Sequence, residues 1–165
     1  MPPVKNAGKK NRATTPFSDI VRLAIPNKGR IAAPIIDLVE KSGLHLVEAG
    51  EQRRLITKTL DPHVEILFAR PVDIPEYVAT GAADLGITGH DMVIERGSDV
   101  EELLDLQSGR AKLVLAVHED SSITKPTQLA GLKVATEFPA NTRAYFKKQN
   151  VDVDVVLVGG ACEAT

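Results

Sequence analysis

Aromatic side chains and cysteine are scarce in this sequence of 165 residues. Aromatic residues make up 4% of the chain and Trp is absent, so a hydrophobic core has to be built from Val, Ile, Leu and Ala. That composition is typical of strands covered by helices, which favours an α/β fold. The single cysteine, Cys162, excludes an intrachain disulfide and a thiolate metal cluster and agrees with a reducing compartment, so a cytoplasmic location is predicted.

Long apolar runs and a basic face are also missing. No apolar stretch approaches the roughly 20 residues that span a bilayer, and the first residues lack the apolar core of a secretory signal. The net charge is −2, and removing the positive charges of Lys5, Lys9, Lys10 and Arg12 leaves −6. We therefore expect no nucleic acid or membrane partner, and an anionic ligand would be held by a few focused positive side chains.

Three parts are predicted along the chain. Residues 1–19 are rich in Pro, Gly, Asn, Lys and Thr, which indicates a flexible basic tail. Residues 20–110 and 111–165 both alternate apolar strands with helical periodicity, so each is predicted to be a small α/β domain with a parallel sheet. The second domain has too few strands to cover both faces of its sheet and is expected to be incomplete.

The periodicity predicts seven strands and four helices. The strands are residues 21–25, 44–47, 64–69, 85–88, 113–117, 132–136 and 153–158, and the helices are 31–43, 73–80, 89–96 and 142–149. Asp73 is the expected N-cap of the second helix, and Gly81 and Gly97 are expected to end the second and third. Ligands of parallel sheets bind at the carboxyl ends of strands, which selects the loops after Ile25, Ala69, Thr88, Thr136 and Val158.

The first of these loops has the sequence PNKGR at residues 26–30. A helix follows it, so free backbone N–H groups and the positive end of the helix dipole favour an anion there. Lys28 and Arg30 add full charges, and Gly29 would let the main chain approach a phosphate without a Cβ in the way. The same spacing fits an ordinary turn with solvated basic side chains, and the loop is neither a Walker loop nor a GxGxxG motif.

Three other positions carry candidate polar groups. Arg70, directly after the third strand, could make bidentate contact with a phosphate or a purine-ribose group, or form a surface ion pair with Asp73 or Glu76. Asp91 could accept hydrogen bonds from a ribose or an amine, or oppose the dipole of its helix. Glu163 follows a Gly-rich turn and could stabilise a positive ribosyl centre, bind hydroxyl groups, or be a favourable acid in a helical turn. No metal-ligand set is predicted.

The order of short sequence motifs along the chain resembles that of the ATP phosphoribosyltransferase family, which catalyses the first step of histidine biosynthesis. The resemblance rests on LAIPNKGR at 23–30, FARPVDIP at 68–75, GAADLGITG at 81–89, VATEFP at 134–139 and GACEA at 160–164. The Gly-Ala-Asp-Leu-Gly phrase alone also occurs in periplasmic-binding-protein-like domains. The Lys-Gly-Arg loop and the Arg-Pro-x-Asp-Ile-Pro phrase therefore decide the assignment.

The resemblance implies a two-domain fold of periplasmic-binding-protein type and a glycosyltransferase reaction. The adenine N1 of ATP attacks the anomeric carbon of phosphoribosyl pyrophosphate and releases pyrophosphate, with Mg²⁺ accompanying the phosphorylated substrates. The full-length protein is expected to be a homo-oligomer.

The resemblance also implies roles for particular residues. Lys28 and Glu163 are the predicted catalytic residues, Lys28 against the pyrophosphate leaving group and Glu163 facing the ribose. By the same resemblance, Arg53 would lie near the ATP and could reach the site of a neighbouring subunit. The predicted ATP- and phosphate-binding set is Lys28, Gly29, Arg30, Arg53, Arg70 and Asp91.

The sequence departs from the family at its end. Members continue with further strands and a Thr-Gly loop around the ribose 5-phosphate, which do not follow Thr165, and Ala161 stands where many members have Ser. The expectation is that the chain as given lacks the sugar-phosphate side and is inactive or nearly so. The alternative is a non-catalytic domain of the same fold that binds a nucleotide or a small anion.

Overall fold

A larger and a smaller sheet organise the protein, which a computed structural model describes at residues 19–47 and 55–159. The larger sheet has the strand order β2-β3-β1-β4. Its strands are β1 (Val21–Pro26), β2 (Ile56–Lys58), β3 (Val64–Ala69) and β4 (Leu85–Gly86). β1 runs parallel to β3 and β4, whereas β2 pairs antiparallel with β3 at one edge. The smaller sheet consists of two parallel strands, β5 (Lys133–Thr136) and β6 (Asp154–Leu157).

Four α-helices connect these strands. They are α1 (Ala32–Lys41), α2 (Ile74–Thr80), α3 (His90–Arg96) and α4 (Pro139–Lys148). We call β1–β4 with α1–α3 the larger sheet unit, and β5, β6 and α4 the smaller sheet unit. The longest helices have ten residues, and nowhere in the two described ranges is a helix long and apolar enough to cross a bilayer.

Most of the hydrophobic core lies in the larger sheet unit, on both faces of its sheet, while Phe146 of α4 is buried in the smaller unit. Ile25 and Ile66, both 0% exposed, pack with Ile35 and Val39 of α1. Their neighbours Ala24 and Leu67 belong to a second cluster that includes Ile74 of α2. Adjacent residues of a strand point to opposite faces, so α1 and α2 cover opposite sides of the sheet. This two-sided burial explains why β1 and β3 are each apolar from their third residue onward.

Local sequence signals correctly predict the bounds of β3 and the C-terminal ends of α2 and α3. β3 has the predicted bounds 64–69. Gly81 and Gly97 end α2 and α3 with φ angles of 78° and 62°. A left-handed residue at this position lets the last turn close its hydrogen bonds, and glycine adopts it without a Cβ penalty.

Four predicted elements differ in the structure. Residues 44–47 form only an isolated antiparallel bridge between Leu46 and Thr59. The strand predicted at 113–117 makes no ladder with any described residue, and Val114 is 70% exposed. The strand predicted as buried over residues 85–88 is reduced to β4, which is exposed because it lies at a sheet edge.

The fourth difference concerns α4, predicted to begin at Thr142. It begins at Pro139, three residues earlier. Proline suits the first position of a helix because that position has no intrahelical use for an N–H group. The predicted domain bounds, with a division between residues 110 and 111, stay a prediction.

Candidate functional site

Three loops converge at the carboxyl edge of the larger sheet. β1, β3 and β4 are parallel, so the segments that follow them leave the sheet on the same side. The Asn27 N–H donates to the Ala69 carbonyl at 2.8 Å, and the Thr88 hydroxyl donates to the Pro71 carbonyl at 2.8 Å. The topology therefore brings together the segments that carry five predicted site residues, Lys28, Gly29, Arg30, Arg70 and Asp91.

The loop after β1 is an exposed turn with two basic side chains. Lys28 and Arg30 are both exposed, and neither side chain has a hydrogen bond or ion pair with any residue in the described ranges. Gly29 has a φ of +91°, and the Ala32 N–H donates to its carbonyl at 3.2 Å. No atom lies within 4 Å of an ideal Cβ at Gly29, so the backbone angle is what favours glycine here. Both positive charges are thus available to an anion.

Arg70 is anchored by an acidic neighbour but is not enclosed by it. Its Nε donates to Asp73 Oδ2 at 2.6 Å, while 64% of the arginine side chain stays exposed. Within residues 19–47 and 55–159, the two terminal nitrogens of Arg70 have no hydrogen-bond partner. The ion pair with Asp73 that the sequence suggested is present, and it leaves the planar end of the guanidinium free for bidentate contact with a ligand.

Asp73 forms the suggested ion pair but does not cap α2 with its side chain. It occupies the N-cap position of α2, but its side chain makes no capping hydrogen bond. Its Oδ1 lies 3.6 Å from Nη2 of Arg96, while Oδ2 binds Arg70. The carboxylate is 14% exposed, so two arginines share one nearly buried charge. Glu76, the other suggested partner of Arg70, instead accepts a hydrogen bond from the Ser98 hydroxyl at 2.9 Å.

Asp91 lies in the first turn of α3, as predicted, with its side chain folded back over the start of the helix. Its Oδ1 accepts a hydrogen bond from the Met92 N–H at 3.0 Å. A Cβ on Gly89, the N-cap residue, would collide with this oxygen. The lack of a side chain at Gly89 therefore makes room for the carboxylate beside the helix start, where the dipole favours a negative charge.

Two predicted site residues, Arg53 and Glu163, lie outside the described residues, as do Ala161 and Cys162. Their assignments stay predictions. In the part of the chain that the structure describes, no group of three or more His, Cys, Asp or Glu side chains could hold a metal ion.

Two features of this edge are not among the predictions from the sequence. The first is Gly109, whose φ is +67° and whose ideal Cβ would lie 2.8 Å from Ile31 Cγ2. The segment that leads to the smaller sheet unit thus touches the residue after the basic loop. The second is Glu95 of α3, which binds the start of α4 through hydrogen bonds to Ala140 and Asn141. In the sequence itself, Gly109 and the lack of a capping side chain before Pro139 are the only local signals of these contacts.

Comparison with known proteins gives one consistent family. Residues 70–165 match the sequence profile of the ATP phosphoribosyltransferase family. An ATP phosphoribosyltransferase of Methanosarcina mazei is 57% identical over 146 residues, covering 88% of this chain and 50% of that protein. That of Methanothermobacter thermautotrophicus is 50% identical over 144 residues, covering 87% and 50%. The chain spans about half the length of the curated relatives it matches.

A solved structure agrees at the level of the fold. The ATP phosphoribosyl transferase (HisG:HisZ) complex from Thermotoga maritima matches with a TM-score of 0.67 and 24% sequence identity. The match covers 87% of this chain and 66% of that one. It confirms the predicted α/β fold of periplasmic-binding-protein type. Taken with the family profile over residues 70–165, it leads to the conclusion that this chain belongs to the ATP phosphoribosyltransferase family.

Proposed function

We propose that this chain carries the ATP-binding side of an enzyme that transfers a phosphoribosyl group to ATP in the first step of histidine biosynthesis. The observation that carries the proposal is the group of cationic side chains at the carboxyl edge of the larger sheet. Lys28 and Arg30 have no partner among the described residues, and Arg70 is held at Nε with its terminal nitrogens free. Such an edge suits the phosphates of a nucleotide better than a neutral ligand.

The proposed reaction needs charge placement more than a nucleophilic side chain. The lone pair of adenine N1 forms a bond to the anomeric carbon, and the bond from that carbon to the pyrophosphate oxygen breaks. Pyrophosphate leaves with the electron pair. A transition state of this kind, with positive charge on the ribosyl ring, is stabilised by alignment of the two substrates and by fixed charges.

The proposed reaction assigns a role to each predicted site residue. Lys28 stabilises the negative charge that develops on the departing pyrophosphate, and Arg30 and the backbone around Gly29 contact phosphate oxygens. Arg70 and Asp91, with Arg53, surround the ATP. Glu163 faces the positive ribosyl centre.

Three properties of the whole protein belong to the same proposal. When bound together with the phosphorylated substrates, Mg²⁺ would neutralise part of their charge. The full-length protein is a homo-oligomer, and its location is the cytoplasm, in agreement with a single cysteine.

Thermal unfolding with and without Mg²⁺–ATP tests the binding step. A ligand that binds only the folded state at a hundredfold excess over Kd stabilises it by about 2.7 kcal/mol, so we expect a higher Tm with ATP. Lys28→Ala and Arg70→Ala should each reduce this shift. Lys147→Ala is the matched control, because Lys147 is an exposed lysine of α4, far along the chain from the basic loop.

Two outcomes would contradict the proposal. One is an ATP-induced shift that is unchanged in Lys28→Ala and Arg70→Ala. The other is an equal shift with sodium sulfate at the same concentration and ionic strength, which would favour the alternative of a non-catalytic small-anion-binding domain.

A further inference from the structure

The start of α4 has no side chain at its N-cap position that could accept from the N–H groups of its first turn, although Thr136 Oγ1 accepts from the Phe138 N–H at 3.0 Å. The N-cap position is Phe138, whose side chain cannot accept a hydrogen bond, and the first turn contains no acidic residue. Pro139 at the first helical position has no N–H group. The next two N–H groups, of Ala140 and Asn141, have no carbonyl partner inside the helix and would be left unsatisfied.

Glu95 of α3 supplies the missing acceptors from the larger sheet unit. Its Oε1 accepts from the Ala140 N–H at 2.9 Å, and its Oε2 accepts from the Asn141 N–H at 3.0 Å. The following N–H, of Thr142, donates to the Phe138 carbonyl at 2.9 Å. Every N–H of the first turn of α4 is therefore satisfied, and a negative carboxylate faces the positive end of the helix dipole.

The side chain of Asn141 completes the contact in the opposite direction. Its Nδ2 donates one hydrogen to Glu95 Oε2 and the other to the Asp91 carbonyl, both at 3.0 Å. Both amide hydrogens are thus used, and both acceptors belong to α3. We call the hydrogen bonds among Glu95, Ala140, Asn141 and Asp91 the Glu95–Asn141 latch.

No hydrophobic cluster of the described residues spans the two units. Both buried clusters consist of residues from the larger sheet unit. α3 and α4 do contact each other, and the latch lies at that contact. The association of the two units therefore depends more on these polar contacts than it would if the interface between them were apolar.

We propose that Glu95 is a positioning residue that fixes the smaller sheet unit against the larger one through the latch. It fixes the segment between β5 and α4 relative to α3, the helix that carries Asp91. A carboxylate that merely capped α4 would stabilise that helix without setting the distance between the units. The inference does not depend on the proposed function, since it concerns the relative position of two parts of the fold.

Amide hydrogen exchange tests the capping contacts directly. In Glu95→Ala, exchange at the Ala140 and Asn141 amides should become about tenfold faster or more, as expected when charge-assisted hydrogen bonds are lost. Glu95→Gln has one acceptor oxygen and should protect one of the two amides but not both. Glu101→Ala, an exposed glutamate without a partner in the described ranges, is the control and should leave both amides protected.

A distance measurement separates positioning from local capping. Spin labels are attached to Lys58→Cys on β2 and Lys148→Cys on α4, both exposed positions, with Cys162 replaced by Ala. Electron–electron resonance should give a narrow distance distribution with Glu95 intact and a broader one in Glu95→Ala. Glu95→Asp, whose shorter side chain retains the charge, should lie between them and serves as the test if Glu95→Ala does not fold.

Two results would overturn the proposal. One is unchanged protection of the Ala140 and Asn141 amides in Glu95→Ala or, if that variant does not fold, in Glu95→Asp. The other is faster exchange at these amides with a distance distribution that stays as narrow as in the unmutated chain, because Glu95 would then cap α4 without positioning it.

Discussion

The larger sheet unit and the segment that leads to the smaller one contain similar apolar residues in very different surroundings. In the larger unit, Ile25 and Ile66 are 0% exposed. Between the units, every residue from 101 to 120 is exposed, including the apolar run LVLAV at 113–117. Hydropathy alone does not distinguish the exposed run 113–117 from the buried parts of β1 and β3.

The difference lies in the partners that each strand has. β1 is hydrogen-bonded on both sides, by β3 and β4, and covered on both faces by helices. For residues 113–117 the structure describes no ladder partner. An apolar run becomes a buried strand only when other strands satisfy its backbone and other elements cover its side chains. Three pairs of variants, each with one change in the larger sheet unit and a matched change beyond it, test this comparison.

The largest effect is expected from truncating a buried β3 side chain. Ile66→Ala removes a side chain that is 0% exposed and leaves a cavity between the sheet and α1, so the free energy of unfolding should fall by about 2–5 kcal/mol. Val114→Ala, at a position 70% exposed, should change it by less than about 0.5 kcal/mol. Urea denaturation followed by circular dichroism measures both. Equal losses would mean that residues 113–117 are buried in solution.

A smaller effect is expected from adding a methyl group where α2 packs on β4. An ideal Cβ at Gly86 would lie 2.5 Å from Ile74 Cγ2 and 3.1 Å from Val78 Cγ2. Ile74 is itself 1% exposed and cannot move aside easily, so Gly86→Ala should cost about 1–3 kcal/mol. The control is Gly159→Ala after β6, where no atom lies within 4 Å of the Cβ. A thermal unfolding midpoint that is the same for both variants would argue against this packing.

The smallest effect concerns the polar contact after α1. The Glu40 carboxylate accepts hydrogen bonds from the Leu46 N–H at 2.9 Å and from His45 Nδ1 at 2.8 Å. The first of these contacts, followed by the second, lowers the pKa of the Glu40 carboxyl below its ordinary value. A lowered pKa in the folded state means that folding favours the ionised form, so the stabilisation is present at neutral pH.

Acid unfolding of Glu40→Gln measures that contribution. The variant should be slightly less stable than the unmodified chain above about pH 4.3, the ordinary pKa of glutamate. The difference should disappear as the pH falls through the lowered pKa of Glu40 in the folded state. Asp120→Asn is the matched control, because Asp120 is 88% exposed and its contact with His118 is 3.4 Å long. A stability difference for Glu40→Gln that does not change with pH would contradict this assignment.

Short-range signals account for most of what was predicted correctly. The bounds of β3 and the glycine ends of α2 and α3 depend on apolar runs and on a backbone angle that glycine adopts easily. The basic loop at residues 26–30 lies at the carboxyl edge of β1 because a strand, a turn and a helix follow one another there. Its role in ligand binding stays a prediction.

The features that the sequence did not predict depend on contacts between residues far apart in the chain. The antiparallel pairing of β2 with β3 and the isolated bridge at Leu46 depend on which backbone groups meet, and no periodicity encodes that choice. The Asp73 carboxylate binds two arginines instead of capping α2 because Arg96 reaches it from another helix.

The sequence by itself determined the α/β class, the strand–loop–helix order and the family, because these depend on composition, periodicity and short ordered phrases. Only the tertiary structure decided which apolar segments are buried and which acid caps α4. Glu95 and Ala140 are 45 residues apart in the chain, and their hydrogen bond forms because folding brings α3 and α4 into contact. Burial and capping at such positions depend on the partners available in space, which local sequence does not specify.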